Sequence, residues 1–176
     1  MQIWHKEAAV QGMDFQIAPH FQLQKGKKKV HMVLAYDAED EALYQLFKKH
    51  LAVFKNISWL IIWDEQAILA SQVWRKEVAK NVQDADVVLC LVSAHFMANE
   101  DLQNLQVAPA LARQSRGEAL VIPIILAPCL WEDTALGELQ ALPMNHKAIE
   151  TWTYPDQGFK EVVTGIKKVL IAIRGG

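Results

Sequence analysis

The sequence is nearly without cysteine: two thiols, Cys90 and Cys129, in 176 residues. That excludes a disulfide-stapled scaffold and offers no paired-thiol metal spacing, so a reducing, cytoplasmic setting is the expectation. An excess of either charge is missing too. Eighteen Lys and Arg stand against 20 Asp and Glu, a net charge of −2, whereas a surface that tracks nucleic-acid phosphates needs a basic surplus. No apolar run approaches the roughly 20 residues of a membrane span, and the opening MQIWHKEAAVQGMDFQIAPH has no continuous apolar core of a signal peptide. The eight glycines form neither a Walker loop nor a G-x-G-x-x-G turn, and there is no nucleophile elbow or Ser-His-Asp order. No repeat or low-complexity tract is present. What remains is 52% hydrophobic and 22% charged, the composition of one globular domain with a substantial core.

The chain is organised around Asp86 to Gln106. Val87 to Val92 are six apolar residues without alternation, which is how a strand buried on both faces of a parallel sheet reads. At Ser93 the pattern stops, and Asn99 with Glu100 and Asp101 predicts an N-cap and an acidic first turn. A first strand over Val30 and Met32 to Ala35 ends at Tyr36-Asp37, and a helix follows from Glu39 to Phe54. A second strand, Trp59 to Trp63, runs into Asp64-Glu65, and a helix carries Trp74, Val78 and Val82 on one face. Pro109 should kink or restart the helix after the third strand. Leu120 to Leu126 make a fourth strand, which Pro123 places near an edge or a bulge. A long polar loop, 128–145, leads to a short fifth strand at Ala148–Trp152, and Phe159 to Ile173 trace an amphipathic last helix. Residues 1–28 read as an N-terminal extension or linker whose lysines, Lys25 and Lys27 to Lys29, are a solvated run. The whole predicts a single flavodoxin-like, doubly wound parallel α/β sheet of about five strands over 29–173.

In such a sheet ligands bind beyond the carboxyl ends of the strands. Those ends are Tyr36-Asp37, Trp63-Asp64, Ser93-His95, Pro128-Trp131 and Trp152. Aromatic faces and a few carboxylates there suit a nucleotide, although each tryptophan taken singly is more simply a packing residue. His31, His50 and His95 have no ligand spacing. A phosphoacceptor receiver domain would also have acids after its first strand, as Asp37, Glu39 and Asp40 are here, but it needs an aspartate where this chain has Ser93-Ala94.

Four stretches in order, VHMVLAYDAED, WDEQAILASQVWRKEV, DADVVLCLVSAHFMANEDLQNLQVAPALAR and GEALVIPIILAPCLWEDTALGELQALP, resemble Toll/interleukin-1 receptor (TIR) domains of the bacterial type, over about residues 29–172. The resemblance implies a flavodoxin-like fold, self-association through the loop 64–72 and neighbouring helices, and NAD+ as a substrate cleaved at the nicotinamide–ribose bond, without a metal. It also implies a cytoplasmic role in signalling or anti-phage defence beside a fused or separate sensor. The matching binding positions are Tyr36, Asp37, Asp64, Trp74, Ser93 and Trp131, with Asp40 and Phe96 also in pattern. The family's catalytic glutamate stands thirteen residues past the serine that ends the third strand, and that count reaches Gln106.

An amide keeps the shape of the acid and its hydrogen bonding but carries no charge to set against an oxocarbenium-like transition state. Losing such a group costs on the order of 3 kcal/mol or more. Gln106 therefore fits either an isosteric replacement that traps substrate or a natural loss of activity, the latter in keeping with Ala35, Ser71 and Asn99 where the family has serine, glycine and serine. Glu77, in WRKEV on the preceding helix, is the candidate substitute carboxylate and reads more simply as a solvated helix charge; Glu100 reads as a first-turn acid. The competing expectation is a non-catalytic TIR–TIR assembly or adaptor domain.

Overall fold

A computed structural model describes residues 15–17, 20–24, 26–68 and 73–175. Strands β1 (Val30–Ala35), β2 (Leu60–Asp64), β3 (Val87–Val92) and β4 (Leu120–Ile125) form one parallel sheet in the order β2-β1-β3-β4. The order reverses between β1 and β3, so the crevice at that switch point opens above the carboxyl ends of those two strands. Helix α1 (Glu41–Leu51) and the long α6 (Pro155–Gly175) cover one face. Helix α2 (Trp74–Asp84), the short α3 (Ala94–Ala98) and a composite helix cover the other. That composite runs from α4 (Glu100–Leu102) through a π-helical turn (Gln103–Val107) into α5 (Ala108–Ser115).

Alternation within the central strands builds two cores. Leu89 and Leu91 join Val30, Met32 and Leu34 under α1 and α6, while Val88, Cys90 and Val92 join Val33 and Ala35 under α2 and α5. Every residue of β3 and β4 is buried, which is why both read as unbroken apolar runs. Arg113, itself buried, holds the far end of α2 by donating to the Val82 carbonyl at 2.8 Å and to the Ala85 carbonyl. The amphipathic α6 buries Phe159, Val162, Ile166, Val169, Leu170 and Ile173. Gly165 lets it close on the sheet edge, since a Cβ there would meet Leu142 Cδ2 at 2.7 Å.

The expected fifth strand is not formed. Residues Ile149–Thr151 make a single 3-10 turn, because Glu150 donates its N–H to the Leu126 carbonyl at 2.8 Å while Thr151 and Trp152 bond back to Ala148 and Ile149. The place beside β4 is taken by one residue, Leu142, which accepts from Ile125 N–H at 2.9 Å and donates to the Pro123 carbonyl at 2.8 Å. The sheet has four strands, and Pro123 lies on the outer one. Nor is 128–145 simply a polar loop: Trp131, Leu136, Ala141 and Leu142 are buried, and Thr134 caps a 3-10 turn at Ala135–Glu138.

The described part of the extension lies on the domain. Phe15, Ile17, Phe21 and Leu23 pack against the core under α1 and α6 while Gln16, His20, Gln22 and Gln24 are exposed. Lys27 is not part of a solvated run, for its ammonium meets Asp86 Oδ1 at 2.8 Å; Lys28 and Lys29 are exposed, and Lys25 lies outside the described residues. No helix among the described residues is long and apolar enough to cross a membrane.

Candidate functional site

The expected residues divide into neighbouring groups around the strand ends. Beyond β1, Asp37 leaves the strand in extended conformation and caps the turn Ala38–Asp40, its Oδ1 accepting from Glu39 N–H at 2.9 Å. Its other oxygen accepts from Asn99 Nδ2 at 2.8 Å. Asn99 also caps α4, accepting from Leu102 N–H at 3.0 Å, so the residue standing where the family has serine performs the capping and ties two loops together. Beyond β3, Ser93 caps α3 by accepting from Phe96 N–H at 3.0 Å and gives its own proton to Asp40 Oδ2. Burial raises the Asp40 carboxyl above its ordinary range; the Ser93 hydrogen bond and the nearby His95 pull it back, and Asp37 and Glu150 push it up.

Asp40 and Ser93 border a hollow of about 420 Å³ at the switch point, lined also by Glu39, His95, Pro128 and Glu150. Glu150 gives no sign of this in the sequence, since it sits inside what reads as a fifth strand. A second group lies towards β2. Tyr36 stacks on Tyr44 with ring centroids 3.6 Å apart. Tyr44 donates to Asp64 Oδ2, and that oxygen also receives Lys48 Nζ at 3.1 Å. Burial, then the charge of Glu41, raises the Tyr36 hydroxyl; burial, then the bond to Asp64, raises that of Tyr44, so both stay protonated as donors. Tyr44 was legible only as a helix residue.

Trp74 opens α2 and donates from Nε1 to Glu65 Oε2 at 3.1 Å; burial raises the Glu65 carboxyl and this bond lowers it. Ile68 closes the turn after β2, while 69–72, with Ser71 and the second part of the expected association loop, lie outside the described residues. Trp131 is set apart. It is 2% exposed in the core under α2 and α5, edge-on to His146 at 5.4 Å, and does not line the hollow. Glu77 is half-buried on α2 and Glu100 exposed on α4.

Gln106 sits within the π turn, 1% exposed, on a segment packed against α2. Its Oε1 is buried with no hydrogen-bond partner among the described residues, and Gln106 does not line the strand-end hollow. The wide turn has a local cause. Pro109 lacks an N–H and its ring crowds the preceding turn, and the helix opens just before it, Ala108 N–H reaching back five residues to the Gln103 carbonyl. The arrangement thus offers acceptors for hydroxyls in an open hollow and, separately, a neutral buried amide. No group of three His, Cys, Asp or Glu among the described residues is arranged to hold a metal.

Comparison with known proteins agrees with this architecture. The family pattern described as TIR domain matches residues 32–163. An uncharacterized protein, y4lF, of Sinorhizobium fredii is 31% identical over 134 residues, which is 76% of this chain and 42% of that protein. The chain therefore spans less than half the length of this relative. With the switch-point sheet and the match over most of its length, the chain belongs to the TIR domain family.

Proposed function

We propose that this TIR domain binds NAD+ at the hollow beyond β1 and β3, and that Gln106 leaves it impaired in cleaving the nicotinamide–ribose bond. The observation that carries the reading is the hollow itself. Its volume, about 420 Å³, falls within the range of small-molecule sites, and its Glu39, Asp40 and Glu150 carboxylates are the acceptors that ribose hydroxyls need. Ser93 fixes one Asp40 oxygen, which leaves the other to the ligand. Binding therefore fits the residues present.

Cleavage fits less well. As nicotinamide leaves, positive charge grows on the ribose, and a carboxylate at that carbon lowers the barrier. Gln106 has no charge to give and lies outside the lining of the hollow. Assembly of copies, in which a neighbour's loop 64–72 completes the pocket, is the step proposed to bring the parts together. The greater length of the Sinorhizobium relative supports a setting in which a TIR domain works beside another region, in bacterial defence or signalling inside the cell.

The neutrality of Gln106 favours a second reading, an adaptor domain that uses TIR–TIR contacts alone. Titration calorimetry with NAD+, and NAD+ consumption by this chain and by Gln106→Glu at high protein concentration, separate the two. Binding by both with turnover only in Gln106→Glu is the expected result. Absence of binding and of turnover in both chains would leave the adaptor.

A further inference from the structure

The two edges of the sheet are treated differently. On β4, parallel pairing turns the backbone of Val121, Pro123 and Ile125 outward, since Leu120 already donates inward to Asp86. No outward N–H is left over: Val121 N–H donates to Gln114 Oε1 at 2.5 Å, Pro123 has none and its carbonyl accepts from Leu142, and Ile125 N–H is bonded to Leu142. A blunted edge of this kind prevents pairing with another chain.

On β2 the register of Val30 with Leu60, and the bond from Val30 N–H to the Trp59 carbonyl at 2.7 Å, turn Ile61 and Trp63 towards β1. Leu60, Ile62 and Asp64 face outward, and no described strand lies beyond them. Leu60 N–H is satisfied by the Ile57 carbonyl at 3.1 Å. That leaves the Leu60 carbonyl, both groups of Ile62 and the Asp64 N–H. Ile62 is 37% and nearby Val53 67% exposed, two of the six large apolar side chains at the described surface. A groove of about 670 Å³ runs beside them, with Phe54, Lys55 and Leu60 among its lining at the start of the strand and Asp64 and Gln66 at its end.

We infer that this edge pairs with the same edge of a second copy, antiparallel about a two-fold axis at Ile62, making one eight-stranded sheet. The free groups are self-complementary in that arrangement. Ile62 of each copy exchanges N–H and C=O with Ile62 of the other, and each Asp64 N–H meets the Leu60 carbonyl opposite, the acceptor that the Ile57 bond leaves over. Charge agrees: reversal of direction sets Lys55 of each copy beside the Asp64-Glu65 end of the other. The inference is independent of the NAD+ reading, because Leu60, Ile62 and Asp64 do not line the strand-end hollow.

Cross-linking tests the geometry. Directly opposed residues of a hydrogen-bonded antiparallel pair have Cα atoms about 5.5 Å apart, within disulfide reach. In a Cys129→Ser background under mild oxidant, Ile62→Cys should give a covalent dimer at least tenfold faster than Ile171→Cys, a similarly solvent-facing control on α6. Sedimentation of the unmodified chain at rising concentration should move from 19.9 kDa towards twice that mass, and Ile62→Pro, which removes only an outward N–H, should stay monomeric with an unchanged circular dichroism spectrum. Equal cross-linking of the two cysteine variants, or a chain that is monomeric at every concentration, would overturn the inference.

Discussion

Replacing Gln106 probes the strangest atom in the molecule, a buried amide oxygen with no partner among the described residues. An unsatisfied buried polar group costs about 1–3 kcal/mol, and an apolar side chain of the same shape does not bear that cost. Gln106→Met, close in volume, should therefore raise stability by about 1 kcal/mol, or about 2–4 °C in Tm for a domain of this size. Gln106→Glu goes the other way and does so with pH. A carboxyl at a site 1% exposed has a folded-state pKa above the roughly 4.3 of the unfolded chain. Below pH 4 both states hold the proton and the variant matches its parent. As pH rises through the unfolded value the unfolded chain loses its proton first, and the deficit grows by about 1.4 kcal/mol per pH unit until the folded pKa is passed. Urea melts of the three chains at pH 5 and pH 8, fitted for midpoint and slope, measure this directly. If Gln106→Met loses more than about 1 kcal/mol, the amide is bonded in solution and the reasoning fails. A Gln106→Glu midpoint that does not fall between pH 5 and pH 8 relative to its parent would likewise show a ready partner for the charge.

Ser93→Ala removes both the cap of α3 and the proton offered to Asp40; about 1 kcal/mol of stability should go, and carbon-detected NMR titration should find the Asp40 carboxyl higher still, since the Ser93 bond opposes the effect of burial. Gly117→Ala meets a positive φ of 74° and the His20 carbonyl at 2.3 Å from the new Cβ, so limited proteolysis should cut faster within 15–24 while the melting point falls by several degrees. Asp86→Ala strands the His31 N–H and leaves the Lys27 ammonium only the Asp84 carbonyl at 3.2 Å, both groups having been bonded to Asp86 at 2.8 Å; a loss of about 2–3 kcal/mol in chemical denaturation is expected.

Much of this fold is legible because parallel strands announce themselves. Val87 to Val92 and Leu120 to Ile125 are apolar throughout since both faces are covered, and no other element of this length reads that way. The cap at Asn99 was legible too, from a side chain that accepts from the backbone three residues on, whereas Ser93, which caps in the same way, read only as the end of a strand. The segment 148–152 misled because a short stretch with buried Ala148 and Ile149 beside exposed Glu150 fits a strand and a turn equally, and the decision fell to a bond from Glu150 to Leu126 that local sequence does not encode. The extension hid its packing for a different reason: Phe15, Ile17, Phe21 and Leu23 alternate as a strand would, but Pro19 interrupts the pattern, and the described residues of the segment pair with no described strand. The residues at the strand ends were placed there by topology alone. Trp131 was placed with them on chemical type, while its position in the core depends on how 128–145 folds back.

The π turn before Pro109 bears on how relatives should be aligned. A wide turn holds one residue more than an ordinary one over the same rise, so a homologue without the proline and one residue shorter would present its side chain at the same azimuth as Gln106. Counting from Ser93 is then off by one between two proteins whose three-dimensional positions coincide. Superposition of the helices downstream, anchored on residues equivalent to Ala110 and Arg113, is the safer way to ask which members of the family keep an acid at this spot.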